Sequence, residues 1–302
     1  MQDSDSQIEI AIIGAGGLAV TAAWELANSW RNDNLLIKIY DHDIIELSNL
    51  NRQILFSTEE LGQNKAEILA KKLSLKFTDV VFNYSPFSID NENIETELKS
   101  TYAVIDATDS VRTSFLLNDY CVKNLKIFSY AGVVAQYGQA LLVNSSINSP
   151  CLRCIFGNWQ EEDYRSIELT CQAAGIIGPI AGYLGWIQAN SVIEAFSNCE
   201  QESAFLKVSL KSLLPQKIKA FPGLDCLNGC GTRNIKNINL TAKECPQTFI
   251  LSKLALEQAD QFSRLLINFK TKENAQKTMR SLKQEGKKVN WASGMSSIIA
   301  CN

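Results

Sequence analysis

Ile8-Glu9-Ile10-Ala11-Ile12-Ile13-Gly14-Ala15-Gly16-Gly17-Leu18-Ala19 joins an apolar run of strand length to a glycine turn, and the turn opens the helically spaced stretch Leu18–Asn28. Such a turn lets backbone N–H groups at a helix start approach phosphates with no side chain in the way. Reading outward, Leu35–Tyr40 is a second β-run closed by Asp41, where a carboxylate can bind ribose hydroxyls. Lys65–Leu75 has helical spacing, and Tyr102–Ile105 is a buried strand ending in Asp106. Strands that alternate with helices in this way predict an α/β fold with a mostly parallel sheet.

The length, 302 residues, suits two domains at about 100–200 residues each. With 46% hydrophobic and 20% charged residues the chain carries enough apolar surface for a core. The net charge of −3 argues against a nucleic-acid partner. Past Asn234 the pattern changes. Ile238–Leu240, Leu265–Phe269, Lys288–Trp291 and Ser296–Ala300 read as strands, and Pro246–Gln258 and Asn274–Glu285 as helices. That is a small α+β module, and it divides the chain into domains 1–235 and 236–302. Residues 236–302 hold 11 basic and 5 acidic side chains, a net of +6, which leaves −9 for the rest. This asymmetry fits mutual docking, a shared acidic partner, or drift in surface composition.

Met1–Gln7 is polar and acidic and does not read as a signal peptide. The uncharged stretch Thr170–Ile193 is long enough to span a bilayer, but glycines at 175, 178, 182 and 185 and Pro179 interrupt it. It reads as the entry to a buried helix, so no membrane partner is expected and the cytoplasm is the expected location. Nine cysteines in such a chain point to metal binding or thiol chemistry.

A glycine turn alone is weak evidence, and the following segments decide its use. They are Asp41-His42-Asp43-Ile44-Ile45-Glu46-Leu47-Ser48-Asn49-Leu50-Asn51-Arg52-Gln53, then Gly62-Gln63-Asn64-Lys65, then Asp106-Ala107-Thr108-Asp109. A dehydrogenase has no use for Asn, Arg, Gln and Lys directed at the same phosphates. A site that adenylates a carboxylate must hold a triphosphate, orient its α-phosphorus and offset charge on the departing pyrophosphate. These segments closely resemble the ThiF/MoeB/HesA adenylyltransferases, relatives of the ubiquitin-activating enzymes, over roughly residues 7–233.

The resemblance implies a Rossmann-like sheet in which Gly14, Gly16 and Gly17 line the nucleotide loop and Asp41 takes the ribose. It also implies that Asn49, Arg52, Gln53 and Lys65 contact the phosphates of ATP and that Asp109 binds Mg²⁺, with Arg52, Lys65 and Asp109 catalytic. Several positions depart from the family pattern. Ala19 replaces a commoner glycine, Ser110 an asparagine, and Ser114 an arginine, with Arg112 nearby. Family members usually carry a helix before the first strand whose arginine reaches the partner subunit's ATP; here seven residues precede Ile8. The family is usually homodimeric.

Cys151 and Cys154 form a C-x-x-C, and Cys226 and Cys230 a C-x-x-x-C, where the resemblance places a structural Zn²⁺ site. Four thiolates with paired spacing suit tetrahedral zinc; the other reading is reduced thiols without metal. Cys171 follows the polar segment Gln160–Glu168, which resembles the family's crossover loop, and is either a reactive cysteine or a plain loop residue. Cys121, on an apolar helix, reads as core.

Cys245 precedes Pro246 where a strand gives way to a helix. A cysteine at a helix N-cap can have its pKa lowered to about 3.5–7.5 and so be a thiolate at neutral pH. Residues 236–302 resemble the TusA/SirA sulfurtransferases, small two-layer α+β proteins whose C-P-x-P cysteine carries a persulfide. Here Thr248 replaces the second proline and Ala242 the usual glycine. The module is then a persulfide carrier or an inert docking domain.

Together the two resemblances imply an enzyme that adenylates the C-terminal glycine of a ubiquitin-like sulfur carrier ending in Gly-Gly. The product would be a thiocarboxylate, with sulfur supplied by a donor such as a cysteine desulfurase through Cys245. The rival readings are adenylation of a peptide or small molecule, and a non-catalytic scaffold that docks a sulfur carrier.

Overall fold

The computed structural model describes residues 7–31, 34–51, 53–144, 149–160, 162–164, 177–197, 204–211, 214–223, 226–230, 235–240, 264–269, 272–284, 288–291 and 297–301. It forms two compact units, Met1–Pro222 and Gly223–Asn302.

The first unit begins β1 (Ile8–Ile13), α1 (Gly17–Ser29), β2 (Leu35–Tyr40), α2 (Lys65–Lys76), β3 (Val81–Ser85). It continues α3 (Ile94–Glu97), β4 (Ala103–Asp106), α4 (Val111–Lys123), β5 (Ile127–Val134), β6 (Tyr137–Asn144), α5 (Leu152–Phe156). The helix Gly178–Ser197 and strands β7 (Ala204–Ser209) and β8 (Gln216–Lys219) complete it. The eight strands form one sheet in the order β3-β2-β1-β4-β5-β6-β7-β8. From β3 to β5 all pairs are parallel, and from β5 to β8 all are antiparallel. The mostly parallel part was expected. The antiparallel extension was not, because glycine and polar residues (Ser129, Gly132, Gly138, Gln139, Lys207, Lys217) interrupt the alternation of its strands.

Register decides where a ligand can sit. Ile13 lies opposite Tyr40 on one side and Asp106 on the other, so β1, β2 and β4 end together. The glycine turn, Asp41 and the 107–110 turn therefore leave the sheet at one edge. The strand order also reverses between β1 and β4, the topological switch point where open α/β sheets bind ligands.

The core explains why the ends hold still. Ile10, Ile12, Ile37, Ile39 and Ile105 are fully buried in the sheet, beneath Leu26 of α1 and Leu69 of α2. The helix Gly178–Ser197 lies against α1. Their approach is close because Gly185 has no side chain: a Cβ there would run into the Leu18 carbonyl. The described part of the uncharged stretch, from residue 178 on, thus lies in a packed helix, in keeping with the buried-helix reading. Among the described residues no helix is long and apolar enough to cross a membrane.

The second unit contains a four-stranded sheet, β9 (Ile235–Leu240), β10 (Arg264–Phe269), β11 (Lys288–Trp291) and β12 (Ser297–Cys301), in the order β11-β12-β10-β9. β9 and β10 are parallel, while β12 runs antiparallel to β10 and β11. The helix Lys272–Gln284 packs on this sheet. It buries Ala275, Thr278, Met279 and Leu282 and exposes Glu273, Gln276, Lys277 and Arg280, a one-sided pattern at helical spacing. The α+β reading holds for these elements. Cys245 and the helix expected at Pro246–Gln258 lie outside the described residues.

Candidate functional site

Gly14 starts the site. Its φ is +100°, in the left-handed region that glycine enters without strain. A Cβ on it would stand 2.5 Å from the Ala107 carbonyl oxygen, so the glycine turn lies directly on the turn after β4. Gly14 N–H donates to the Tyr40 carbonyl (2.7 Å), which fixes the turn to the end of β2. Helix α1 then begins with Gly16 as N-cap, with no side-chain cap bond and no acidic residue in its first turn. That leaves the positive end of a 13-residue helix open to an anion.

Asp41 faces this turn. Its Oδ2 accepts from Ala15 N–H (2.7 Å) and its Oδ1 from Asp43 N–H (2.8 Å). Burial pushes its carboxyl above the usual range, and these two N–H bonds oppose that shift. Asn64 links Asp41 to α2: its Nδ2 donates to the carbonyls of Asp41 (2.8 Å) and Asp43 (3.2 Å). Its Oδ1 accepts from Glu67 N–H (3.0 Å) as the N-cap of the helix that Lys65 opens. The Lys65 side chain is 9% exposed, and its ammonium pairs with Asp43 Oδ2 at 2.8 Å. Asn64 and Asp43, to which the sequence reading gave no role, are what orient Asp41 and Lys65 toward each other.

Asn49 and Gln53 are buried on a short 3₁₀ turn and the segment after it, and Gln53 N–H donates to the Asn49 carbonyl (3.1 Å). The Gln53 amide nitrogen lies 3.7 Å from where a Cβ on Gly16 would be, so this segment folds over the glycine turn. Asn49 Oδ1 and Gln53 Oε1 have no hydrogen-bond partner among the described residues. Buried polar atoms are normally paired. The two orphaned amide oxygens can accept from hydroxyl or amine donors of a ligand, while the glycine turn and the open helix start suit its phosphates, a combination that fits a nucleotide. Arg52 and Cys171 lie outside the described residues.

Asp109 is exposed at the start of α4, on the same edge. Three residues earlier, Asp106 is fully buried and its Oδ1 accepts from Thr108 N–H (3.1 Å) and the Thr108 hydroxyl (2.8 Å). Burial pushes its carboxyl up to about 6, against the pull of the Ser114 and Thr108 hydroxyls. A carboxyl raised in the folded state stabilises the fold below its unfolded pKa, and that contribution is lost as pH rises through 6. The shift from 3.8 corresponds to about 3 kcal/mol lost by neutral pH. Asp106→Asn keeps the Oδ1 acceptor without the charge. Its Tm relative to wild type should therefore rise between pH 4 and pH 7, and parallel Tm curves would contradict this account of Asp106.

The sulfurs of Cys151, Cys154, Cys226 and Cys230 all lie within 4.8 Å of one another, and three of the four residues are buried. Cys154 N–H donates to the Cys151 carbonyl (3.0 Å), and Gly229 N–H to the Cys226 carbonyl (2.8 Å), tight turns that bring each pair together. Four thiols so gathered, with both spacings read from the sequence, fit a tetrahedral metal ion. The first pair is anchored to α4. Arg153 Nε and Nη2 donate to Asp119 Oδ1 (2.8 Å) and Oδ2 (2.6 Å), and Leu152 N–H donates to Asn118 Oδ1 (2.9 Å). Cys121 is buried in the core, as expected, and burial pushes its thiol pKa up.

The ThiF family profile matches residues 2–226. The sulfur carrier protein ThiS adenylyltransferase of Escherichia coli (strain K12) is 30% identical over 204 residues, which is 68% of this chain and 77% of that protein. The adenylyltransferase and sulfurtransferase MOCS3 of Caenorhabditis briggsae is 33% identical over 61% of this chain, and the match spans only 44% of that relative's length. The crystal structure of E. coli MccB superposes with a TM-score of 0.63 at 21% identity, covering 77% of this chain and 67% of that one, a likeness of fold. The chain belongs to the ThiF family.

Proposed function

We propose that this chain uses ATP to adenylate the C-terminal glycine carboxylate of a ubiquitin-like sulfur carrier ending in Gly-Gly, and that Cys245 then supplies sulfur as a persulfide. The observation that carries the reading is the convergence of the glycine turn, Asp41, Lys65 and Asp109 on one sheet edge in a ThiF-family chain. The relatives named as a ThiS adenylyltransferase and as adenylyltransferase-sulfurtransferases support it.

A carboxylate oxygen of the carrier attacks the α-phosphorus of ATP, and pyrophosphate leaves. The backbone of Gly14, Gly16 and Gly17 and the start of α1 hold phosphate, and Asp41 holds the ribose. Asn49, Arg52, Gln53 and Lys65 steady the phosphates, Lys65 exchanging Asp43 for them. Asp109 holds Mg²⁺, which when bound offsets charge on the departing pyrophosphate. The outer sulfur of the Cys245 persulfide attacks the acyl-adenylate and AMP leaves. A second thiol, Cys171 or an external one, then attacks the Cys245 sulfur; a disulfide forms there and the carrier thiocarboxylate departs.

The functional division is 1–235 for adenylation and 236–302, TusA-like, for sulfur. Fusion would hold the persulfide near the adenylate at an effective concentration in about the millimolar range. A cysteine desulfurase charges Cys245, and the enzyme acts as a cytoplasmic homodimer. Titration calorimetry with MgATP, paired with pyrophosphate release in the presence of a Gly-Gly carrier, tests the reading. Binding and release are both expected, whereas neither would leave a docking scaffold.

The cysteine quartet is proposed to hold one Zn²⁺ in a structural role, which can supply roughly 10–16 kcal/mol toward folding. Purified protein should carry about one zinc per chain, and Cys151→Ser should lower both metal content and Tm. Metal-free protein of unchanged Tm would contradict the zinc assignment.

A further inference from the structure

We infer that Asp106 is a positioning residue that sets where Asp109 stands relative to the nucleotide turn. This rests on the proposed adenylation site and deepens it. A fully buried carboxylate is costly, and the fold keeps one at the end of β4, among strand residues that are otherwise apolar. Its Oδ1 takes both donors of Thr108, the N–H and the hydroxyl, and so closes the turn that Asp109 continues. The Thr108 hydroxyl also reaches the Ser110 carbonyl (3.4 Å). Ser110 in turn caps α4 by accepting from Thr113 N–H (3.2 Å).

The strand side is clamped as firmly. The buried Gln188 amide donates to the Asp106 carbonyl (2.7 Å) and to the Ser129 carbonyl (2.9 Å), tying β4 and β5 to the helix Gly178–Ser197. Asp109 is thus held from both ends of a short segment, by Asp106 through Thr108 and by Ser110 through α4.

Two further observations separate this from an ordinary buried acid. Asp106 Oδ2 has no donor in hydrogen-bonding geometry among the described residues, and the nearby Ser114 hydroxyl is turned to the Ser110 carbonyl (3.1 Å). Oδ1 thus takes both Thr108 donors, and the Ser114 hydroxyl lies close enough to the carboxyl to favour its charged form. The Ala107 carbonyl and Thr108 nitrogen also press on Gly14, at 2.5 and 3.2 Å from where a Cβ would stand. A shift of this turn would move Asp109 and the phosphate turn together.

The test compares Asp106→Ala, Asp106→Asn and Thr108→Val with wild type. MgATP affinity is read by calorimetry without a carrier, and the Mg²⁺ concentration for half-maximal pyrophosphate exchange is read alongside Tm. Asp106→Ala should weaken MgATP binding by about tenfold or more and raise the Mg²⁺ requirement, while exchange at saturating Mg²⁺ stays close to wild type. Asp106→Asn, which keeps the Oδ1 acceptor, should restore both toward wild type. Thr108→Val should raise the Mg²⁺ requirement by a smaller factor, and it keeps the inference testable should Asp106→Ala not fold. Wild-type Mg²⁺ dependence in folded Asp106→Ala or in Thr108→Val, or equal impairment in the Asn and Ala variants, would overturn the inference. Wild type binding MgATP without carrier-dependent exchange would sink the adenylation reading alone, and no MgATP binding by wild type would sink both.

Discussion

Cys245→Ala is expected to leave carrier adenylation close to wild type and to stop thiocarboxylate formation. Adenylation needs the nucleotide site of the first unit, and none of the residues given to that step lies past 223. Sulfur delivery needs a nucleophile more reactive than water. The sequence places Cys245 just before Pro246 and an expected helix, a position at which a thiol is expected to have the lowered pKa that persulfide chemistry exploits. Once the alanine removes it, the acyl-adenylate has no internal sulfur nucleophile. The readout is intact-mass spectrometry of the carrier after incubation with ATP and a cysteine desulfurase, looking for one oxygen replaced by one sulfur. Cys171→Ala should slow the release step if its thiol attacks the Cys245 sulfur to free the thiocarboxylate, and should have little effect if an external thiol does so. Thiocarboxylate formed by Cys245→Ala as fast as by wild type, with catalytic sulfur donor only, would make the C-terminal module a docking domain.

Asp109→Ala should abolish ATP–pyrophosphate exchange while the fold survives. Asp109 is exposed at a helix start, and exposed positions usually tolerate substitution within about 0.5 kcal/mol. Its loss removes the carboxylate assigned to Mg²⁺ and with it the charge balance on the leaving pyrophosphate. The measurements are exchange rate and Tm on the same preparation. Exchange at the wild-type rate would take Asp109 out of the mechanism, whereas a large fall in Tm would mean the residue supports the fold instead.

What could be read from the sequence is what the chain encodes locally. The runs Ile8–Ile13 and Leu35–Tyr40 lie between neighbouring strands and are apolar but for Glu9 and Lys38, which makes them legible. The glycine turn and the two cysteine pairs are likewise short-range patterns. The antiparallel strands β5 to β8 were not legible, since Gly132, Gly138 and several half-exposed polar residues break their alternation. Nor were the pairings that orient the site. Asp43 meets Lys65 across 22 positions, and Gln188 reaches the Asp106 carbonyl across 82. Asp106 itself reads as the last residue of an apolar strand, and only the structure shows it fully buried, with no ion pair among the described residues.

ATP–pyrophosphate exchange with a Gly-Gly carrier, with the same carrier lacking its last glycine, and without carrier, addresses the central claim. Adenylation of the carrier terminus predicts rapid exchange with the intact carrier and none in the other two reactions. Exchange that proceeds equally with the shortened carrier, or with none, would contradict it and point to a peptide or small-molecule carboxylate as the substrate.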